Sequence, residues 1–236
     1  MLSLYPSIFY SYLAVPLLGW GIAIGILLFL YHPFNPVAII LTLKDLATPT
    51  IITTRSLNRY FKLYWICTVV AIPPIILGVM GIMLGAVVIE IGEEPVGMEI
   101  LAISSFILLL GCFVVILRTV FKMLLLYQLW KLIPTDIART TPGQAVGFCF
   151  IPIFNYYWAF IAYRGLSEDM NKTLQKRGIQ CKVNDQLGMG LCIVHCCELV
   201  PGIGFLPFLA GDVVAIFFLK SVKDDAIALL EQCEKN

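Results

Sequence analysis

The sequence predicts an all-α polytopic membrane protein, and three observations support that prediction. Hydrophobic residues make up 60% of the 236 positions and charged residues only 13%, whereas roughly a quarter of the residues in a soluble domain are charged. The mean hydropathy is positive. The apolar residues form long runs rather than periodic stripes, as is typical of membrane helices. The net charge of +1 and the lack of a basic tract with interleaved aromatics give no indication of a nucleic-acid partner.

Residues 1–134 are predicted to hold three full transmembrane helices. The first apolar run, residues 8–31, is long enough to cross ~30 Å of hydrocarbon. No Lys or Arg precedes it, so we interpret it as a retained anchor rather than a signal peptide. The second run covers residues 63–89. The third is placed at residues 100–117, which leaves residues 118–133, with Arg118, as a cytoplasmic extension in water.

The loops between these runs predict the orientation of the chain. Residues 32–62 contain Lys44, Arg55, Arg59 and Lys62 but a single acidic residue, and short basic loops stay in the cytoplasm. Residues 90–99 contain four glutamates and no basic residue, consistent with an outer loop. We therefore expect the N-terminus outside and the C-terminus in the cytoplasm.

The region 135–236 begins with an apolar insert, residues 143–163, that has Pro152 and Asn155 at its centre and basic residues on both sides. A re-entrant or in-plane insert would keep both basic flanks on the cytoplasmic side. Pro152 would then supply the bend, and Asn155 a hydrogen bond for exposed backbone. A fourth spanning helix with a proline kink is the alternative, and both interpretations stay open here.

A second broken segment, residues 187–219, is split by the turn signal Pro-Gly-Ile-Gly at 201–204. It predicts a helical hairpin or two short tilted spans. Folding back around this turn would place His195 opposite Asp212, with Glu198 one turn nearer the tip. Ionisable residues inside an apolar run are functional candidates; alternatively, Asp212 and Glu198 lie near an interface or bind a backbone amide. Residues 220–236 are predicted to form a solvated amphipathic helix in the cytoplasm.

Metal and catalytic motifs are weak in this chain. His195, Cys196 and Glu198 are weak candidates for a metal site, but no second ligand pair with zinc-like spacing accompanies them. No metal or other cofactor is therefore expected, and most of the cysteines lie in apolar runs as reduced structural residues. There is no nucleophile elbow, no phosphate-binding glycine loop and no His-Glu-x-x-His. An enzyme is accordingly less favoured, although lipid-directed catalysis by His195 and Asp212 is kept as an alternative.

Four stretches carry a family resemblance: Tyr127-Gln-Leu-Trp130, Thr141-Pro-Gly-Gln-Ala-Val-Gly147, Ile151-Pro-Ile-Phe-Asn-Tyr-Tyr-Trp158 and Gly165-Leu-Ser-Glu-Asp-Met-Asn171. Over residues 124–219 the chain resembles a family of small multi-pass membrane proteins, mostly bacterial, that carry a domain of unknown function. The resemblance implies a location in a bacterial inner membrane and a structural core formed by Pro152, Asn155, Trp158 and Asn171. It implies no catalytic residue.

The function that the sequence favours is that of a non-catalytic accessory, assembly or scaffolding subunit. Glycine-rich helix faces, short loops and the lack of a sizeable soluble domain favour packing against lipid, a membrane-protein partner or a second copy of the chain. The alternative is a small transporter or channel that uses His195 and Asp212 in its broken-helix hairpin, because carriers combine broken helices with buried ionisable groups.

Overall fold

A computed structural model describes residues 52–151, 153–180, 183–197 and 205–235, with backbone alone at 205–209, 234 and 235. All regular structure in these ranges is helical, which confirms the all-α prediction for this part of the chain. Two of its helices are long and apolar enough to cross a membrane. The predicted first span at 8–31, the turn at 201–204, Pro152 and Glu198 lie outside the described residues.

The two long helices are α1, Thr54–Glu90, and α2, Glu94–Lys131. Helix α1 begins inside the predicted loop 32–62, because the Thr53 hydroxyl accepts the Ser56 backbone N–H at 3.1 Å and caps the first turn. Helix α2 begins inside the predicted loop 90–99, which shrinks to residues 91–93. There Gly92 has φ +97°, and the N–H groups of residues 92 and 93 bond back to the carbonyls of 89 and 88, which ends α1 in a Schellman motif. Helical structure thus extends into both predicted loops.

Residues 66–117 of these helices belong to one compact unit. Gly78 and Gly81 of α1 pack against Leu108 and Ser104 of α2, and a Cβ added at Gly78 would lie 2.7 Å from the Leu108 Cβ. The glycine face of α1 therefore serves close contact with α2. The large apolar side chains that stay exposed on these two helices include Leu77, Met80, Leu84, Val87, Ile103, Phe106, Leu109 and Phe113.

The second compact unit contains residues 52–65 and the described residues from 118 onwards. Besides the ends of α1 and α2, it comprises α3 Pro142–Gly147, a 3₁₀ turn Phe148–Phe150, α4 Phe154–Ala159, a π-helical turn Phe160–Arg164, α5 Gly165–Lys176, α6 Asp185–Cys197 and α7 Phe205–Lys235. Its core includes the fully buried side chains of Leu57, Trp130, Val146, Leu166 and Phe218.

The insert, residues 143–163, forms two short arms that fold back on each other. The first arm starts with a capping box between Thr141 and Gln144, with Pro142 in the first turn. The chain then reverses near Ile153, whose φ of +60° is unusual for a β-branched residue. On the returning arm, the Trp158 indole Nε1 donates to the Ala145 carbonyl at 3.2 Å. The insert is thus not one continuous helix with a kink.

Helices α6 and α7 pack against each other within the predicted hairpin 187–219, with Gly188 of α6 close to the Phe218 ring. Helix α7 continues without a break through the C-terminal tail. Val222, Ala226 and Leu229 of that tail are buried, because their i, i+4, i+7 spacing places them on one helix face. The helix predicted at 220–236 as solvated and amphipathic thus has its apolar face buried in the fold.

Candidate functional site

A partly buried ion pair joins Arg118 of α2 to Asp212 of α7. The Arg118 side chain is only 8% exposed, so the prediction that it stands in water is wrong. Burying a charge is costly unless an opposite charge and hydrogen bonds compensate it, and Asp212 supplies that compensation. Sequence reasoning missed the pair because the two residues are 94 positions apart in the chain.

His195 of α6 contacts the returning arm of the insert. Its Nε2 lies 2.9 Å from the Asn155 Oδ1, and with the proton on Nε2 the imidazole donates to the amide oxygen. The imidazole also stacks on the Tyr156 ring, with the ring centroids 4.8 Å apart. Two of the candidate residues thus meet in the structure. The predicted contact between His195 and Asp212 is tested by neither observation and stays a prediction.

The amide of Asn155 is 4% exposed, and its Nδ2 has no hydrogen-bond partner among the described residues. Two more candidates, Pro152 and Glu198, lie outside the described residues. The structure therefore places the buried amide of Asn155 where the insert meets the end of α6.

Two tryptophans tie the insert together through backbone carbonyls. Trp158 bonds to Ala145 across the two arms, as described above. Trp130 of α2 donates its Nε1–H to the Ala162 carbonyl at 3.0 Å, where the π-helical turn of the insert leads into α5. The rings of Phe148 and Trp158 meet edge to face, 4.7 Å between centroids, and add aromatic packing to these bonds. Trp158 therefore has a structural role in this fold.

A charged cluster closes the base of the insert, where Arg139 precedes it and Glu168 and Asp169 follow it. The fully buried Asp169 carboxylate accepts hydrogen bonds from the Arg139 backbone N–H at 3.0 Å, from the Arg139 Nε at 3.0 Å and from its Nη2 at 2.8 Å. Lys172 adds a bond at 3.1 Å, and Glu168 accepts from the Arg139 Nη2 at 2.7 Å. The two ends of the insert therefore meet at one place, and the pairing of Arg139 with Glu168 and Asp169 was not predicted from the sequence.

These contacts shift the pKa values of the cluster. Burial raises the pKa of the Asp169 carboxyl, but the hydrogen bonds from Arg139 and Lys172 outweigh burial and hold that pKa below its usual value. The hydrogen bond from Arg139 lowers the pKa of the Glu168 carboxyl, and the bond to Asp169 raises the pKa of the Arg139 guanidinium. All three groups are stabilised in their charged forms.

Asn171, in the middle of α5, links that helix to the start of α6. Its Nδ2 donates to the Val183 carbonyl at 3.0 Å and to the Asp185 carboxylate at 2.8 Å, while its Oδ1 accepts the Val183 N–H at 2.7 Å. Both N–H groups of this amide and one of the two lone pairs on its oxygen are thus engaged. The arrangement fixes the chain on both sides of residues 181 and 182.

Within the described ranges, no group of three or more His, Cys, Asp or Glu side chains is placed to hold a metal ion. The seven cysteines in these ranges form no disulfide with one another. Cys192, adjacent in space to the insert, bonds to the Ala159 carbonyl at 3.3 Å. Cys196 is partly buried at the end of α6. Cys196 was proposed as a weak metal ligand together with His195 and Glu198, and Glu198 lies outside the described residues.

The described residues thus define an all-helical protein in which two helices are long and apolar enough to cross a membrane. Comparison of the chain with protein-family models, with curated proteins and with solved structures found no match. The resemblance to small multi-pass membrane proteins therefore stays a prediction.

Proposed function

We propose that this chain is a non-catalytic integral membrane protein that acts as an accessory, assembly or scaffolding subunit. The observation that carries the proposal is the series of large apolar side chains that α1 and α2 leave exposed, among them Leu84 and Phe106. Monomeric soluble proteins rarely expose continuous apolar patches of more than a few hundred Å². Lipid or the helices of a membrane partner would cover these side chains.

In this proposal the insert enters the bilayer and returns to the side from which it came. The contacts of Arg139 with Glu168 and Asp169 support this, because a spanning insert would separate these residues by the thickness of the membrane. Each arm has roughly ten residues and so reaches ~15 Å, about half of the hydrocarbon. Ile153, at the reversal, is 83% exposed, which suits a tip solvated by lipid.

The remaining topology belongs to the same proposal. Three full spans include residues 8–31, the N-terminus lies outside, and the base of the insert and the C-terminal tail lie in the cytoplasm. The basic residues of the loop 32–62 support this orientation. A bacterial inner membrane is proposed from the family resemblance alone.

The bonding of the candidate site supports a scaffold more than a reaction centre. Trp130 and Trp158 bond to carbonyls of the insert, and Asn171 bonds to the start of α6. Each of these side chains holds two elements together. A fixed arrangement of this kind presents a constant surface to partner helices, which is what an assembly subunit requires.

The topology is tested by cysteine labelling. Thr135→Cys and Gln175→Cys are made singly in a chain in which Cys181 and Cys233 are replaced by Ser, and vesicles of each orientation are treated with an impermeant maleimide. Both positions are exposed, and we expect both to react from the cytoplasmic face. Glu93→Cys, in the turn after α1, is the control and should react from the outer face. Labelling of positions 135 and 175 from opposite faces would show that the insert spans.

The subunit role is tested by photocrosslinking in intact membranes. A photoreactive phenylalanine analogue at Leu84 or Phe106 should form a discrete adduct with one membrane protein or with a second copy of the chain. The same analogue at Gln175, which belongs to the charged end of α5, is the control. Purification in mild detergent should then yield a stoichiometric partner or tightly held lipid. A bare monomer with neither adduct nor bound lipid speaks against the proposal.

Transport is the second candidate, and the partly buried Arg118–Asp212 pair favours it. Carriers place ionisable residues in broken helices near their substrate path, and Asp212 lies on α7 after the turn that the sequence predicts at 201–204. Proteoliposomes that contain the full chain should then show cation or proton flux that Asp212→Asn abolishes, while Lys220→Gln on the exposed face of α7 leaves it intact. Flux that is absent from both proteins removes this candidate.

A further inference from the structure

A stripe of basic side chains follows one face of the first three turns of α1. Arg55, Arg59 and Lys62 occupy positions i, i+4 and i+7, which fall within an arc of roughly 60° on an α-helix. All three side chains are exposed. We call Arg55, Arg59 and Lys62 the basic stripe.

The opposite face of the same turns is buried, so the direction of the basic stripe is fixed. Leu57 and Tyr64 are fully buried in the core of their unit, and Phe61 packs against that core. Because these residues lie on the far side of the helix, rotation that turned the stripe inward would expose them. The stripe must therefore face away from the protein core.

The charge of the basic stripe is not compensated by the described part of the chain. Residues 52–65 contain no Asp or Glu, and none of the ion pairs between described residues includes Arg55, Arg59 or Lys62. Exposed bases of α5 differ, since Lys172 pairs with Asp169 and Lys176 with Asp136. The stripe is therefore a local excess of positive charge.

The position of the stripe along α1 indicates what it meets. It directly precedes the apolar part of a helix long enough to cross a membrane. One turn after Lys62 stands Trp65, which is 48% exposed, and exposed tryptophans mark the boundary between hydrocarbon and headgroups. In a chain with the membrane location proposed above, the stripe lies at the level of the lipid headgroups.

We propose that the basic stripe binds the phosphate groups of anionic phospholipids at the surface of the bilayer. The inference rests on the proposed membrane location but names a residue set and a lipid class that this location alone does not give. Guanidinium groups such as those of Arg55 and Arg59 can each bind phosphate through two parallel hydrogen bonds. A stripe of about 10 Å is short for a nucleic-acid surface.

The experiment counts bound lipids on the purified full chain by native mass spectrometry. The chain in detergent is titrated with phosphatidylglycerol and, separately, with phosphatidylcholine. We expect tighter binding of phosphatidylglycerol and a decline of that preference as NaCl rises from about 0.05 to 0.5 M. One basic residue near a charged membrane surface contributes about fivefold in affinity. The variant R55Q/R59Q/K62Q should therefore lose the preference by tenfold or more.

The variant K172Q/K176Q/R177Q is the matched control, because it removes the same charge from exposed positions of α5 and its helix end. It should keep the preference for phosphatidylglycerol. The variant R55K/R59K keeps the charge of the stripe and should retain most of the preference, which also answers the case in which the glutamine variant fails to fold. A preference that survives in a folded glutamine variant, or that shows no salt dependence in the unaltered chain, overturns the proposal.

Two further outcomes separate this inference from the proposed function. Binding of a short RNA to the unaltered chain at 0.15 M salt, lost in R55Q/R59Q/K62Q while lipid binding is kept, would assign the stripe to nucleic acid. If the unaltered chain shows no preference for phosphatidylglycerol while positions 135 and 175 are still labelled from one face, only the stripe proposal is contradicted. If these positions are labelled from opposite faces while the lipid preference is intact, only the re-entrant topology is contradicted.

Discussion

Asp169 makes more hydrogen bonds within the fold than its position in a charged segment indicates. Its carboxylate is 0% exposed and accepts three hydrogen bonds from Arg139 and one from Lys172. A buried carboxylate is stable in its ionised form only with such compensation. The residue thereby joins the two ends of the insert.

Replacing Asp169 by Asn should lower the free energy of unfolding by about 2 kcal/mol, because hydrogen bonds to a charged group contribute roughly that much and the new amide would turn a donor toward the donors of Arg139. Glu168→Gln is the control. Glu168 is about one-third exposed, and water screens its ion pairs, so the expected loss is about 0.5 kcal/mol. Thermal unfolding in detergent measures both. Equal losses in the two variants would contradict the special role of Asp169.

The stability of the cluster should also depend on pH in a defined direction. The pKa values of Asp169 and Glu168 are lower in the folded chain than in the unfolded chain, where they are about 4. The stabilisation is therefore complete above the unfolded pKa and is lost as the pH falls from about 4 through the folded pKa. The difference in melting temperature between the unaltered chain and Asp169→Asn should be constant from pH 5 to 7 and shrink below pH 4. A difference that instead grows below pH 4 would contradict the lowered pKa.

At the scale of single residues, candidate site residues could be recognised in the sequence where a polar side chain stands in an apolar run. Asn155 and His195 stood out as polar groups in apolar runs, and they meet in the structure. Arg118 and Arg139 were judged as topology markers by their flanking position, and their partners Asp212 and Asp169 could not be named. Such pairing depends on how distant helices cross, and that information is not local in the sequence.

At the scale of elements, the reversal of the insert concentrates backbone strain at Ile153. Its φ of +60° and ψ of −48° lie outside the regions that β-branched residues adopt, and holding such a conformation costs about 1–3 kcal/mol. Its side chain is almost fully exposed, so packing does not explain why isoleucine stands there. The surrounding bonds, such as that of Trp158 to Ala145, hold the reversal in place.

Ile153→Gly should therefore raise the free energy of unfolding in detergent by about 1 kcal/mol. Glycine adopts positive φ without the steric cost that isoleucine has there, and the strain relieved exceeds the entropy that glycine adds to the unfolded chain. Ile151→Gly is the matched control. Ile151 has φ −86° and ψ 122°, an ordinary extended conformation, so glycine there should lower stability by about 1 kcal/mol. Shifts of the same sign at both positions would mean that no strain is relieved at Ile153.

The helical nature of the long apolar runs was predictable, and the ends of their helices were less so. Hydropathy identified the apolar parts of α1 and α2 but not their polar first turns, since the Thr53 cap and the glycine motif at residue 92 act through single hydrogen bonds. The helical parts of loops 32–62 and 90–99 were consequently not predicted. The break in the insert was signalled by Pro152, whereas the return of its second arm depends on contacts made only after folding.

At the scale of the whole chain, the C-terminal tail belongs to the folded unit that contains the insert. Gln232 donates to the Arg177 carbonyl at 3.3 Å, which ties the end of α7 to the residue after α5. Lys223 is buried, pairs with Asp224 and bonds to Asn58 of α1. A tail predicted to be solvated thus contributes to the packing of elements from both ends of the described sequence.

Ending the chain after Lys220 should therefore prevent stable folding of this unit. The truncation removes the buried side chains of Val222 and Leu229, whose burial alone contributes about 4 kcal/mol, a large part of the 5–15 kcal/mol that stabilises a typical domain. The measurement is the fraction of purified protein that elutes as a single species in detergent, together with its melting temperature. The control ends after Gln232, which keeps every residue of α7 that the structure describes as buried, and it should behave as the full chain does. If the protein that ends at Lys220 has the same melting temperature as the control, the tail does not stabilise this unit. The contacts of α7 before Lys220 would then be sufficient for its folding.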